Sequence, residues 1–548
     1  MTMNIDRRRL IIGGALGLGS LLLPIGSSIA AEVLGARGFT HNVASGEPGP
    51  DSMLLWTRYF PATDVDAINL EAQVALDPDF NQVVAGGSMR TGAWRDWTAK
   101  ITVAGLQPGT RYWYRFIAAD GNLSPVGRTK TLPVGEVSSF GLGVFSCSNL
   151  PIGWFNAYAH AAARDDLDLW LHVGDYIYEY GIASYGAVDL ILEREVMPAH
   201  DHEMIALADY RLRLACYRGD PDLQKLHQMA PMIALWDDHE SANNSWEGSA
   251  QNHQAGTEGD WNTRRAAAMQ AYHEWMPVSE EPWKAYPIGT LATLYRTESR
   301  LIARTEPMDP QLAQAHNVAS PDAALAAFRD GPWQDPSVTM LGTEQEQWLA
   351  QEFGKSARTT GWQLVGMGTI MGRTLMPEAT LGMLRSDASE NTINSYRRNV
   401  HGSNLGIPMW MDRWDGYPAA RSRFLQAAQR ADADLVMLSG DSHNAWAYSL
   451  SEEGQPAGVE FAVHGVTSNG IEGAMGAAPE DVASSFIQRN PELVWANTHQ
   501  RGYLMLDITP RSVSGEWQFL DTIKTRSTAL AGTHRLSVEL GRRQFVTG

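Results

Sequence analysis

Two cysteines, Cys147 and Cys216, are the whole thiol complement of the 548 residues, so at most one disulfide can form. Basic residues are also scarce: 43 Lys and Arg stand against 62 Asp and Glu, for a formal net charge of -19. That balance argues against a nucleic-acid or anionic-membrane binder, whose affinity rests on basic patches. It leaves room for a small anionic substrate, because metal ions reverse the sign of the field inside an acidic site. Beyond the amino-terminal segment no run of about 18 apolar residues could span a membrane, so no stable membrane anchor is expected. Internal repeats, heptads and low-complexity tracts are missing too. With 44% hydrophobic and 19% charged residues the composition is globular, and the length suits about two to four domains.

What is present begins with an address. Asp6-Arg7-Arg8-Arg9-Leu10-Ile11 precedes an apolar, Gly-rich stretch to Ile25, followed by a small-residue site at Ser28-Ile29-Ala30. Paired arginines before Leu and Ile resemble a twin-arginine export signal, with an ordinary secretory signal as the alternative. Residues 1–31 are therefore expected to be a signal peptide, the export machinery a partner, and the mature protein periplasmic or secreted. In an oxidising compartment a cysteine pair suggests a disulfide first. Cys147, however, sits in a polar cluster at a strand end and favours a thiolate ligand. Cys216 lies in a helical stretch and favours a core thiol.

Residues 36–133 show short alternating strands, at 52–58, 71–76, 98–103 and 112–116, separated by turns. A turn ahead of the aromatic strand at Tyr112 predicts a tyrosine corner, as in a small fibronectin type III-like β-sandwich. Residues 137–525 alternate helical and strand patterns, which predicts a layered α/β domain. Helices are expected at 154–164, after a capping box at Thr343 to Glu346, and at 421–431, with a strand at 362–367. Residues 240–290 and 375–420 read as long functional loops, and 526–548 as a C-terminal tail.

Four apolar strands end on metal-loving residues: FSCSN at 145–149, GDYIY at 174–178, WDDHE at 236–240 and GDSH at 440–443. Each follows a run with the look of a buried parallel strand (140–145, 167–173, 232–236, 435–438), and in open α/β sheets ligands bind beyond such carboxyl ends. Thiolate, carboxylate, phenolate and imidazole on four neighbouring strand ends would converge on one polynuclear metal site. Asp175 can bridge two metals with its two oxygens. Tyr178 offers a phenolate, with packing as its plain alternative. Asp238 can ligate while His239 faces substrate as general acid, and Asn243 or Asn244 supplies a neutral oxygen or a loop anchor. Asp441 and His443 close the set. His160, His227 and His534 lack such context and read as structural or exposed.

In order and spacing these clusters resemble the metal-binding segments of the calcineurin-like metallophosphoesterase superfamily, and within it the PhoD-type alkaline phosphatases. Cys147 stands where the superfamily usually has Asp-x-His, Asp238 and His239 where it has Asn-His, and the last segment is Gly-Asp-Ser-His in place of Gly-His-x-His. Residues 42–48 (NVASGEP), 54–58 (LLWTR) and Trp414 to Tyr417 with Arg421 extend the likeness over nearly the whole mature chain. The family's usual Asp-Thr-Arg is here Glu298-Ser299-Arg300, which leaves the role of Arg300 open. The resemblance implies a metallophosphoesterase-type α/β sandwich and a cluster of iron and calcium. Its ligands would be Cys147, Asn149, Asp175, Tyr178, Asp238, Asn243, Asp441 and His443. It further implies that a metal-bound hydroxide attacks a small phosphorylated substrate, with His239 assisting the leaving oxygen. Tyr210, Arg373 and Arg421 are the candidate phosphate contacts, each arginine being open to a purely structural salt bridge. Monoester hydrolysis is the first reading. A phosphodiesterase or phospholipase D-like enzyme with the same site is the second, and an inactive binding protein the third.

Overall fold

Alternation of side chains along buried strands fixes the layers of this molecule. In the computed structural model, Phe140–Phe145, Leu169–Val173 and Met232–Leu235 run parallel to one another. Leu142, Val144, Leu171, Val173, Ile233 and Leu235 point to one face of their sheet, and Phe145, Trp170 and Met232 to the other. The first face packs on Leu294, Leu364, Val436 and Leu438 of a second sheet. The opposite face is covered by helices that include Leu207–Arg218, Pro221–Met229 and Trp261–Trp275. The second sheet is covered in turn by Gly342–Ser356, Pro418–Arg430 and Pro479–Arg489. The result is a helix–sheet–sheet–helix sandwich, an α/β architecture with two-sided burial of every central strand. The structure describes residues 36–181, 202–308, 310, 320–408 and 410–546, and the signal segment expected at 1–31 lies outside them.

The first sheet has nine strands, the second seven. The four ligand-bearing strands are divided between them. Three lie side by side in the first, while Leu435–Ser439 lies in the second between Trp362–Met367 and Gln455–Ala462. Their carboxyl ends still meet, because the two sheets are stacked. A Cβ on Gly366 would touch Leu171 and Leu235 of the facing sheet at 3.2 Å.

The amino-terminal region is a β-sandwich. Gly38–Gly46, Ser52–Phe60 and Thr98–Ala104 face a four-stranded sheet through Val43, Met53, Leu55, Val74, Tyr114 and Phe116. The tyrosine corner is present, with Gln107 N donating to Tyr112 Oη at 2.7 Å. This sandwich is not a detached bead. Gly46 pairs in parallel with Met232, and Glu47 N donates to Met232 O at 3.0 Å, so its strands extend the nine-stranded sheet.

Other expectations change. The stretches read as long loops contain the helices Trp261–Trp275 and Glu390–Asn404, capped by Asp260 and Ser389. The first escaped notice because its buried face carries Arg264, which is satisfied by Tyr210 Oη at 3.1 Å and Glu203 at 2.6 Å. Thr343 to Glu346 forms no capping box. The hydroxyl of Thr339 instead accepts from Gly342 N at 2.9 Å and donates to Glu346 at 2.6 Å. The expected tail is integral: Leu530–Glu539 pairs antiparallel along Ser512–Leu520 as the edge strand, and Phe545 packs edge-on against Phe461 at 4.8 Å.

Removing residues 526–548 uncovers Val513 and Trp517, so the truncated chain should unfold several degrees lower than the full chain in a thermal melt. Coincident melting curves would show this strand to be dispensable.

Candidate metal centre

At the stacked strand ends the backbone turns sharply. Cys147 (φ 58°), Asp175 (φ 55°), Asp441 (φ 63°) and His443 (φ 60°) all sit in the left-handed region that L-residues avoid. Each such residue costs about 1–3 kcal/mol, and this kind of strain concentrates at functional sites. Hydrogen bonds between the turns hold it in place: Cys147 N to Gly174 O at 3.2 Å, Ser148 N to Asp175 O at 2.9 Å, Val466 N to Ser146 O at 2.9 Å, and Gly440 N to Gly368 O at 3.1 Å. Gly174 is required where it stands. Its φ is 98°, and a Cβ there would meet Asp237 Cβ at 2.4 Å.

The turns bring two groups of ligand atoms together, each within 4.8 Å: Cys147, Asp175 and His443, and Asp175, Asp238 and His239. Asp175 belongs to both and is 1% exposed. Its Oδ2 accepts from Cys147 Sγ at 3.4 Å and from Tyr178 Oη at 3.1 Å, while its buried Oδ1 meets no hydrogen-bond donor. Burial, reinforced by Asp238, Asp237 and Glu240, pushes the Asp175 carboxyl well above the usual carboxylate range. The Cys147 thiol is raised likewise, by burial and then by Asp175. A nearby cation would reverse both shifts, and the orphaned oxygen would give it a ligand.

His443 is prepared as a neutral ligand. Burial and the positive charge of Arg501 push it down to about 4. Nδ1 donates to Asn469 O at 2.5 Å, which leaves the lone pair on Nε2, 3.2 Å from Tyr178 Oη. His239 is prepared in the opposite sense. Burial alone would lower it, but Asp238, Glu179 and Asp175 hold it well above its ordinary value, and Nδ1 lies 2.7 Å from Glu179 Oε2. Glu179 is fully buried and its other oxygen accepts from Asn243 N at 2.7 Å and Asn252 Nδ2 at 2.9 Å.

A supporting ring fixes these groups. Glu240 accepts from the backbone N–H of Asp175, Tyr176 and Asp237 at 3.1, 2.5 and 2.8 Å. Asp238 accepts from His239 N at 2.9 Å and Asn244 N at 2.7 Å. Arg300 clamps Asp237 through Nε at 2.6 Å and Nη2 at 3.0 Å, which settles its position as a buried ion pair beneath the site. The set opens on a cleft of about 760 Å3 whose lining includes polar Asp441, Ser442, His443, Asn244, Asp412 and Arg413 and apolar Trp246, Met308, Ile407 and Trp410.

Of the residues singled out from sequence, Cys147, Asp175, Tyr178, Asp238, His239, Asp441 and His443 come together. Asn149 is buried in the first turn, its carbonyl accepting from Thr467 Oγ1 at 2.7 Å. Asn243 turns away, its amide donating to Gln251 at 2.7 Å, and Asn244 (φ 49°) lines the cleft in its stead. Tyr210 is no phosphate contact: it is fully buried and donates to Ser241 O at 2.6 Å. Arg421 is spent on Met371 O and Glu492, both at 2.9 Å, and Arg373 is half exposed, 4.0 Å from Asp415 and outside the residues lining the cleft. Both cysteines are free and buried, so no disulfide forms. Glu179, Asp412 and Arg413 are functional neighbours that the sequence reading missed. Glu179 was hidden between two tyrosines, and Arg413 directly precedes the recognised segment at Trp414.

Comparisons with known proteins identify relatives of the chain. A family model described as PhoD-like phosphatase matches residues 142–517, and its N-terminal domain model matches residues 26–133. The chain is 31% identical over 556 residues to alkaline phosphatase D of Bacillus subtilis (strain 168), spanning 96% of this chain and 86% of the relative. A solved structure described as that of PhoD aligns with a TM-score of 0.76 at 28% identity, covering 93% of this chain and 92% of its own.

If Glu179 holds His239 in its charged form, Glu179→Gln should lower the His239 pKa, read from imidazole NMR shifts. A pKa that does not move would assign the charge to the aspartates alone.

Proposed function

The chain belongs to the PhoD-like phosphatase family, whose members hydrolyse phosphoric esters, and we propose that it is an exported, metal-dependent phosphatase acting on phosphate monoesters. The observation that carries this reading is the convergence of Cys147, Asp175, Asp238, Asp441 and His443, with Tyr178, at the floor of one cleft.

The donor set fits iron with calcium. Thiolate and phenolate, from Cys147 and Tyr178, suit ferric iron, and the carboxylates of Asp175, Asp238 and Asp441 with neighbouring amide oxygens suit calcium. The unpartnered Asp175 Oδ1 is the acceptor such ions would satisfy. When bound, they would activate water at neutral pH and neutralise phosphoryl oxygens. The chain's own residues do the rest. Glu179 keeps a proton on His239, which stands beside Asp175 and Asp238 and can give that proton to the departing ester oxygen. Asn469 fixes the His443 ring, and Glu240 and Arg300 keep the Asp175 and Asp237 turns from drifting as charge develops.

A second reading, hydrolysis of phosphodiesters, is favoured by the size of the cleft, whose walls also include Trp246 and Trp410 and which has room for a second esterified group. Export in the folded state is supported by Arg7, Arg8 and Arg9 ahead of the apolar segment and the small-residue site at Ser28 to Ala30. It delivers the protein to the periplasm or medium with its metals in place. Among the described residues no helix is long and apolar enough to cross a membrane.

Asp175→Asn should reduce hydrolysis of p-nitrophenyl phosphate by about 10³-fold or more while circular dichroism is unchanged; undiminished turnover would sink this site. Elemental analysis of exported protein should find iron and calcium, and zinc alone would contradict the donor argument. Parallel assays on p-nitrophenyl phosphate and its bis ester decide between the two readings. Replacing Arg7, Arg8 and Arg9 with lysines should strand the precursor in the cytoplasm on fractionation, and continued export would indicate the ordinary secretory route.

A further inference from the structure

Trp246 stands in the wall of the cleft without a place in any core. It lies on the small hairpin formed by Ser245–Trp246 and Ser249–Ala250, which is pinned at Glu247. Glu247 N donates to Arg304 O at 3.1 Å, and Glu247 O accepts from Trp261 Nε1 at 3.1 Å and from Arg265 Nη1 at 2.7 Å. The indole presented on this support is half-buried and, among the described residues, belongs to none of the apolar clusters. A large aromatic held rigidly outside the cores and facing a cleft is suited to recognising a ligand, because it offers wide contact area at little entropic cost.

Two aromatic residues of the lining are tied to carboxylates of the metal site. Asn244 N donates to Asp238 Oδ2 at 2.7 Å, and Trp246 follows two residues later, at most about 7 Å of chain away. Trp410, also half-buried, carries the Arg413 guanidinium over its ring at 3.8 Å from the centre, and Arg413 Nε donates to Asp441 Oδ2 at 3.1 Å. That stack covers one face of the indole and fixes its tilt. Met308 and Met411, half-buried in the same lining, add thioethers, which make favourable contacts with ring edges. An ester whose phosphoryl group sits at the metal centre therefore carries its alcohol within reach of these side chains.

We propose that Trp246 and Trp410 form a leaving-group subsite that selects esters of ring-bearing alcohols, aryl or heteroaryl, over esters of small polyols. The proposal rests on the phosphatase reading above and names its substrate class; the same surface would receive the second esterified group of a diester. Flat indole faces reward a flat ring by stacking, beyond the area buried. A polyol loses its water at such a wall without regaining the hydrogen bonds.

The test uses the full metal-loaded chain and three unactivated esters whose leaving alcohols are similarly weak acids: 2-phenylethyl, hexyl and glycerol phosphate. By kcat/KM, wild type should favour the phenylethyl ester over glycerol phosphate by about tenfold or more, and over hexyl phosphate by about threefold or more. Trp246→Ala should cut the phenylethyl-to-glycerol ratio by about tenfold, and Trp246→Phe, which keeps a ring, should restore most of it. Equal turnover of the phenylethyl and glycerol esters by wild type overturns the proposal, and so does a hexyl ester as good as the phenylethyl one, which would show a pocket indifferent to rings. A loss shared equally by all three esters in Trp246→Ala also overturns it, because disturbing Asn244 and Asp238 alone would produce that pattern. A wild-type chain that hydrolyses neither these esters nor p-nitrophenyl phosphate overturns the phosphatase reading itself, whereas one that hydrolyses them without preference removes only the subsite.

Discussion

The structure is organised around one electrostatic problem: Asp175, Glu179, Asp237, Asp238 and Glu240 are buried together at a single corner. Like charges removed from water repel strongly, and each must be neutralised, protonated or compensated. The solutions differ by residue. Asp237 has the planar fork of Arg300, Glu240 has three backbone N–H groups, and Glu179 and Asp238 share the charge of His239. Asp175 is left with an oxygen that no protein donor reaches. The corner is therefore left with an unmet acceptor, which a cation would satisfy.

That incompleteness explains the backbone strain. Turning Cys147, Asp175, Asp441 and His443 through left-handed conformations is unfavourable for each, and a stable fold tolerates it only where neighbouring structure over-determines the turn. Two stacked sheets provide this: Val466 N to Ser146 O braces one turn against another across the seam, and Gly440 N to Gly368 O ties neighbouring turns of the second sheet. A ligand set split between two sheets is also more rigid than one carried on a single edge, because sliding either sheet would break the shared apolar face.

Much of this was legible in the sequence. Strand-end clusters gave seven of the residues that meet, because each sits just past an apolar run whose end is fixed by burial. The choice of strand 362–367 and the sandwich with its tyrosine corner also rested on strong local signals. What stayed hidden depended on distant partners. Helix Trp261–Trp275 carries charge on its buried side that partners such as Glu203, Glu258 and Tyr210 explain, and the last strand has modest apolar content because it is an edge. Tyr210 and Arg421 looked available because sequence does not reveal Ser241 O or Glu492. Glu179 and Arg413 were adjacent to recognised motifs, yet their importance lies in bonds made across the fold.

The strand order has a consequence for how the molecule is made. Phe140–Phe145, which delivers Cys147, is flanked on one side by Leu169–Val173 and on the other by Gly502–Ile508, which the terminal strands then extend. The ribosome must therefore release almost the entire polypeptide before that strand has both neighbours. Until then the first ligand turn hangs at an open sheet edge, exposed to mispairing. Assembly of the corner is therefore a late event that follows release of nearly the whole chain.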